Sequence, residues 1–299
     1  MIKNKVVITG GSGFVGTNLI KLLINKTKYK IISIDDYSSG SRSNHINNPR
    51  IKYIKGNTVN ISKLIKDPKK IKTVFHFGEF ARIYQSFLNM NECIQSNSIG
   101  SNAVFDFCLK NKIKLIYSAT SASLGNRGKD KNLSPYAFTK AKNLEFLDNL
   151  RKWFDFKYEV IFFYNVYGPR QIKIGKMATV IGIFEDNYLK KKPLPIVKPG
   201  TQSRRFTHIQ DTIDICFKAW RLNKCRFYSV SNKKSYSIKE VAKLFKSKVK
   251  YLPARKGERF ASALASMSLH KKVHKTFGKI QLKEYVQDFL LRHRKTLEK

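Results

Sequence analysis

Lys5-Val6-Val7-Ile8-Thr9-Gly10-Gly11-Ser12-Gly13-Phe14-Val15-Gly16 is the stretch that decides the fold. Its first five residues are mostly apolar and β-branched, the composition of a buried strand. They run directly into three spaced glycines and an amphipathic stretch that predicts a helix to about Asn25. Glycines at such a junction let backbone N–H groups approach a pyrophosphate at the helix N-terminus, where the helix dipole favours an anion. About twenty residues on, a second apolar run, Lys30 to Ile34, ends in Asp35. A carboxylate there can accept both ribose hydroxyls of NAD and repel the 2′-phosphate of NADP. A glycine cluster alone reads as a tight turn. In the order strand, glycines, helix, strand, acid, it reads as a dinucleotide site.

Working outward, β–α alternation continues through residues 51–55, 73–77, 113–118 and 158–164, with helices expected near 89–110 and 135–154. This predicts an α/β fold, a Rossmann-like doubly wound parallel sheet. After Tyr164 the alternation breaks into a helix near 179–189, a Pro-rich segment over 192–200 and a mixed C-terminal region of short strands and helices.

The second informative stretch, residues 114–140, reads KLIYSATSASLGNRGKDKNLSPYAFTK: a hydroxyl-rich strand end, a polar loop, then Tyr136 and Lys140 on one helix face. A tyrosine with a pKa near ~10 is no base at neutral pH, but a cation one turn away favours the phenolate. Ser134 as N-cap and Pro135 at the first helical position define where that helix starts. Taken without this context, Tyr136 and Lys140 are an ordinary surface pair.

With 42% hydrophobic residues among 299, the chain has ample material for a core. No run approaches the roughly 18 apolar residues of a membrane span, and the N-terminus enters a strand with no signal-peptide pattern, so a cytoplasmic protein is expected. Cys93, Cys108, Cys216 and Cys225 lack CxxC or metal-ligand spacing and read as reduced side chains, and no metal is expected. The 59 Lys and Arg against 20 Asp and Glu give a formal charge of +39, which raises the question of nucleic acid. The lysines are nevertheless spread over every predicted helix and loop, with no basic tail and no recognisable nucleic-acid motif. The expectation is therefore weak, non-specific attraction of polyanions.

Together these residues make the chain resemble the extended short-chain dehydrogenase/reductase superfamily, in its nucleotide-sugar epimerase and dehydratase branch, of which UDP-glucose 4-epimerase is the familiar member. The resemblance rests on Gly10-x-x-Gly13-x-x-Gly16, Asp35, Asn97-x-x-Gly100-Ser101, Thr120 before Gly125 and Tyr136-x-x-x-Lys140. It continues in Tyr164-Asn165-Val166-Tyr167-Gly168-Pro169-Arg170 and Gly200-x-Gln202-x-Arg204-x-Phe206-x-His208-x-x-Asp211.

The resemblance implies an NAD-binding domain of residues 1–164 and 204–230, and a sugar-nucleotide-binding domain of 165–203 and 231–299. It implies NAD contacts from Gly10, Gly13, Phe14, Val15, Gly16, Asp35, Asp36, Asn57, Thr58, Phe77, Gly78, Asn97, Tyr136 and Lys140. It further implies catalysis by Thr120, Tyr136 and Lys140, with Ser118 or Ser121 as possible sharers of the Thr120 role. Substrate contacts would come from Thr120, Asn165, Arg204 and Arg255, the arginines holding a diphosphate by charge-assisted bonds. A UDP-linked sugar and a homodimer through 89–110 and 135–154 are expected on the same ground.

Departures from the family pattern are Asn57 for an acid near the adenine, Glu79 and Phe80 where small residues pass the cofactor, Arg205 and Ala265 where aspartates are usual, and a short loop over 126–133. In 4,6-dehydratases an acid follows the catalytic threonine; here Ser121 and Ala122 stand there. The resemblance therefore implies C4 epimerisation through a 4-keto intermediate. A dehydratase or decarboxylase using another acid such as Glu79 remains the alternative, and an inactive polyanion-binding protein is the alternative of another class.

Overall fold

The computed structural model describes residues 3–124, 132–222, 224, 227–257 and 273–297. Its main sheet has β1 (Lys5–Thr9), β2 (Lys30–Asp35), β3 (Ile51–Lys55), β4 (Ile71–His76), β5 (Lys114–Thr120), β6 (Tyr158–Phe163), β7 (Phe227–Ser231) and β8 (Val273–Phe277). They lie in the order β8-β7-β6-β5-β4-β1-β2-β3, and every pairing is parallel. Parallel neighbours need crossovers, and the helices that supply them cover both faces.

Those helices include α1 (Phe14–Lys26), α2 (Ile83–Leu88), α3 (Ser101–Lys110), α4 (Pro135–Phe154) and α5 (Ile209–Leu222). Successive strand residues point to opposite faces. Val6 and Ile8 accordingly pack with Leu19 and Leu23 of α1 and Ile213 and Trp220 of α5, while Val7 packs with Val104 and Phe105 of α3 and Leu147 of α4. A third apolar cluster, with Tyr167, Phe184, Phe206, Phe245 and Phe289 among its members, belongs to the later part of the chain. Small pairings fasten that part: Leu194–Val197 with Val249–Leu252, and Ser203–Arg205 with Ser235–Ser237.

Two expectations change. The single helix expected over 89–110 is three pieces, Met90–Ile94, a π-helical Gln95–Gly100, and α3. Gly100 packs where a Cβ would stand 2.5 Å from Thr58 Oγ1, a close approach that only glycine permits. The second change concerns the end of the chain. Val273–Phe277, assigned by sequence to the smaller unit, hydrogen-bonds in register along β7 as the edge strand of the main sheet. Only Val273 of this strand is buried, in the main core, so it carries no apolar run to announce itself. Gly125, Cys225 and Ala265 lie outside the described residues, as does most of the loop over 126–133.

Candidate active site

The helices that follow β1 and β4 leave opposite faces of the sheet, which opens a crevice at the carboxyl ends of these adjacent strands. A cleft of about 930 Å³ lies there. Its walls bring together Gly10, Gly13, Phe14, Val15, Gly16, Asp35, Asp36, Asn57, Thr58, Phe77, Gly78, Tyr136 and Lys140. Backbone geometry explains the first glycines. Gly10 has φ +67°, and a Cβ on it would meet Gly78 N at 2.8 Å; a Cβ on Gly16 would meet Gly10 O at 2.2 Å. Gly10 and Gly16 thereby keep the backbone bare at the N-terminus of α1, whose first N–H groups have no partner within the helix.

Asp35 closes the far side of that turn. Its two carboxylate oxygens accept N–H bonds from Ser12 (2.9 Å) and Tyr37 (2.8 Å), which fix their direction. Burial raises its pKa and the two N–H bonds oppose the rise. Asn57, in place of the family's acid, donates to Asp36 (3.1 Å) and accepts from Val59 N. Asn97 is absent from the cleft wall. It is fully buried and clamps the backbone of Phe80, accepting its N–H at 2.7 Å and donating to its carbonyl at 3.0 Å.

Tyr136 sits where its helix begins. Ser134 Oγ caps Ala137 N at 3.1 Å, and Ser86 Oγ of α2 accepts the N–H of Tyr136 at 3.2 Å. Thr120 ends β5 and is not in the cleft wall; its hydroxyl accepts the N–H of Ala122 at 3.2 Å. Burial pushes the Tyr136 pKa up to about 12; the Thr120 hydroxyl and the Arg82 charge work against that rise, and Glu79 adds to it.

The partner of Lys140 differs from the expectation. Its ammonium is bonded to the Glu79 carboxylate and the Ser118 carbonyl and lies 4.7 Å from the centre of the Tyr117 ring. The Glu79 side chain is 2% exposed and also receives Ser101 Oγ (2.7 Å) and the Tyr117 hydroxyl (3.0 Å). Behind it runs a line of bonds whose directions are mutually determined. Thr9 Oγ1 accepts from Phe77 N and Gly78 N, so its proton goes to His76 Nδ1 (2.7 Å). His76 Nε2–H then donates to Ser101 Oγ (3.0 Å), whose own proton serves Glu79. His76 is neutral in this arrangement, its pKa lowered to about 4 by burial.

The residues expected at the substrate lie apart from the cleft wall. Asn165 is exposed, with φ +35°, and donates to Arg205 O at 3.0 Å. Arg204 is on the strand that pairs with Tyr236, and Arg255 is exposed with its guanidinium 5.1 Å from the centre of the Tyr84 ring on α2. Asp211 accepts the N–H groups of Lys279 and Ile280, joining α5 to the segment after β8. Sequence reading noted Glu79 and passed over Arg82, which lines the cleft three residues later. The spacing of opposite charges directly after a core strand was the available signal. Among the described residues, no group of three or more His, Cys, Asp or Glu could hold a metal ion, and no helix is long and apolar enough to cross a membrane.

Known proteins agree with this architecture. The model of the NAD dependent epimerase/dehydratase family matches residues 6–229. An ADP-L-glycero-D-manno-heptose-6-epimerase of Brachyspira hyodysenteriae is 26% identical, with 81% of this chain and 80% of that protein aligned. The UDP-N-acetylglucosamine 4-epimerase of Methanobrevibacter ruminantium, solved with UDP-N-acetylmuramic acid, is 27% identical with a TM-score of 0.80, covering 98% of this chain and 100% of that one. The fold is shared with Thermus thermophilus UDP-glucose 4-epimerase, solved with NAD, at 20% identity, a TM-score of 0.84 and coverage of 97% and 99%. The bare backbone at Gly10 and Gly16 and the fixed Asp35 carboxylate fit a dinucleotide. From the strand order, the glycine turn and a family match that spans most of the sheet, it follows that the chain belongs to the NAD-dependent epimerase/dehydratase family and uses NAD as its cofactor.

Proposed function

We propose that this enzyme inverts C4 of a UDP-linked hexose through a transient 4-keto sugar. The observation that carries the reading is the end of β5. Thr120 is followed by Ser121 and Ala122, and Ala122 packs in an apolar cluster with Cys93, Tyr136 and Ala137, so no carboxylate stands there to assist loss of water from C6. Glu79, the acid the dehydratase reading needs, is committed to Lys140. The sugar-nucleotide substrates named for the Brachyspira and Methanobrevibacter proteins support the substrate class.

NAD, when bound, supplies a hydride acceptor that can return what it takes. The chain's own residues hold the reactant and move the proton. Thr120 holds the C4 hydroxyl, Tyr136 accepts its proton and later gives it back to the inverted alkoxide, and Lys140 orients the nicotinamide ribose. Asp35 accepts the adenosine ribose hydroxyls, while Asp36, Asn57 and Thr58 line the adenine end and Phe77 and Gly78 the middle of the dinucleotide. Asn165, Arg204 and Arg255 bind the diphosphate. A second copy of the chain is the proposed partner. Met90, and Phe138, Trp153 and Phe154 on α4, are large apolar side chains left exposed within the stretches of the expected interface.

A substrate deuterated at C4 tests the reaction. Epimerisation keeps the label at C4 and yields no deoxygenated carbon. Label at C6 with a 4-keto-6-deoxy product would replace the epimerase reading with a dehydratase.

A further inference from the structure

Arg82 lines the same cleft as Tyr136 and leads into α2. Phe80 and Ile83, to either side of it, pack against the apolar cluster that contains Tyr136, and Ser86, one turn on, accepts the Tyr136 N–H at 3.2 Å. Ile172 and residues 174–177 also line the cleft, and Arg82 reaches them through a bond to the Met177 carbonyl. A second bond goes to the carbonyl of Ala81 at 2.7 Å. Both acceptors are neutral, Nε is buried with no acceptor, and no carboxylate pairs with the guanidinium among the described residues. The acids that line the cleft are engaged elsewhere or exposed: Asp35 on Ser12 and Tyr37, Asp36 on Ser38 and Asn57, Glu79 on Lys140, and Glu92 exposed on Met90–Ile94. A positive charge taken out of water without an anion is costly. Each terminal nitrogen keeps one N–H beyond those two bonds, the pair of donors that a carboxylate takes in fork fashion.

We propose that Arg82 determines specificity and that the sugar this enzyme takes is acidic, a hexuronic acid whose C6 carboxylate is held by Arg82 while its C4 lies at Tyr136. The inference rests on the reading of Tyr136 as the proton acceptor for the C4 hydroxyl of a UDP-linked sugar. Neither diphosphate calls for this arginine. That of NAD belongs at the glycine turn, and that of the sugar nucleotide is assigned to Asn165, Arg204 and Arg255, none of which lines the cleft with Arg82. The anion left for Arg82 is one carried by the sugar itself, and C6 is two bonds from the reacting carbon. Such a substrate has no C6 hydroxyl to expel, in agreement with the apolar packing of Ala122 where a dehydratase carries an acid.

Calorimetry with UDP, UDP-glucose and UDP-glucuronate on the full chain loaded with NAD tests the proposal. UDP-glucuronate should bind about tenfold or more tightly than UDP-glucose, as a charge-assisted pair does. Arg82→Gln should remove that difference while UDP and UDP-glucose keep their affinity. Arg82→Lys, which keeps the charge and loses the fork, should keep only part of the difference, and it carries the comparison if Arg82→Gln does not fold. No preference for the acidic sugar in the native chain would overturn the proposal, and so would a preference that survives Arg82→Gln. An equal loss for all three ligands would overturn it too, since Arg82 would then serve the diphosphate or only brace the cleft walls. Failure of the underlying reading looks different. UDP that does not bind sinks the UDP linkage, and the ADP-linked pair of the same sugars then reads Arg82; retained turnover in Tyr136→Phe removes the base and leaves the carboxylate preference standing.

Discussion

At Asp35 a buried carboxylate is held by two backbone N–H bonds beside a turn in which Gly10, Gly11 and Gly16 leave no room for a Cβ. A second negative group brought to this point, such as a 2′-phosphate, meets a like charge in surroundings that screen it poorly. Calorimetry should therefore show NAD binding more tightly than NADP, with Asp35→Ala narrowing the gap; equal affinities in the native chain would remove Asp35 from its role. Tyr136 carries a different expectation. Removing its hydroxyl takes away the proposed proton acceptor and leaves the ring packing with Ala122 and Ala137 intact. Tyr136→Phe should lower turnover by about 10²–10⁴-fold while sugar-nucleotide affinity changes little. Near-full turnover on the true substrate would show that the proton goes elsewhere.

Between elements, His76 joins the end of β4 to Thr9 of β1 and Ser101 of α3. The folded state keeps it neutral down to about pH 4, whereas an unfolded chain protonates it near 6.5. Its contribution is complete above pH 6.5 and is lost as pH falls through that window to about 4, on the order of 3 kcal/mol in all. Denaturation midpoints of wild type and His76→Gln across this window should converge toward the acid end; parallel curves would refute the assignment. The strand, turn and helix order around Gly10–Gly16 and the start of α4 were legible because each device is local: an apolar run and glycines in the first, a cap at Ser134 in the second. The partner of Lys140 was not, because Glu79 lies 61 residues away in sequence and meets it only once β4 and α4 are assembled. The break at Gln95–Gly100 was likewise hidden, since the constraint on Gly100 comes from Thr58 and not from its neighbours. β8 went unread because one buried residue in five gives no period to detect.

Across the whole molecule, some of the few acids pair with a basic residue one helical turn away, as Asp106 does with Lys110, Asp148 with Lys152 and Asp186 with Lys190. The remaining lysines give a +39 surface without a nucleic-acid motif. RNA or heparin should retain the protein at low salt and release it steeply as salt rises, through counterion release. Sequence-selective binding that persists at physiological salt would favour the polyanion-binding alternative. The all-parallel sheet also governs how the chain reaches this state. No neighbouring strands are joined by a hairpin: β1 meets β4 across more than sixty residues, and β7 finds β8 only after residue 273. Such distant closures make folding slow and leave strand edges open meanwhile. During synthesis β7 presents a bare hydrogen-bonding edge until residues 273–277 emerge, so truncation before them should yield aggregates rather than a smaller soluble enzyme.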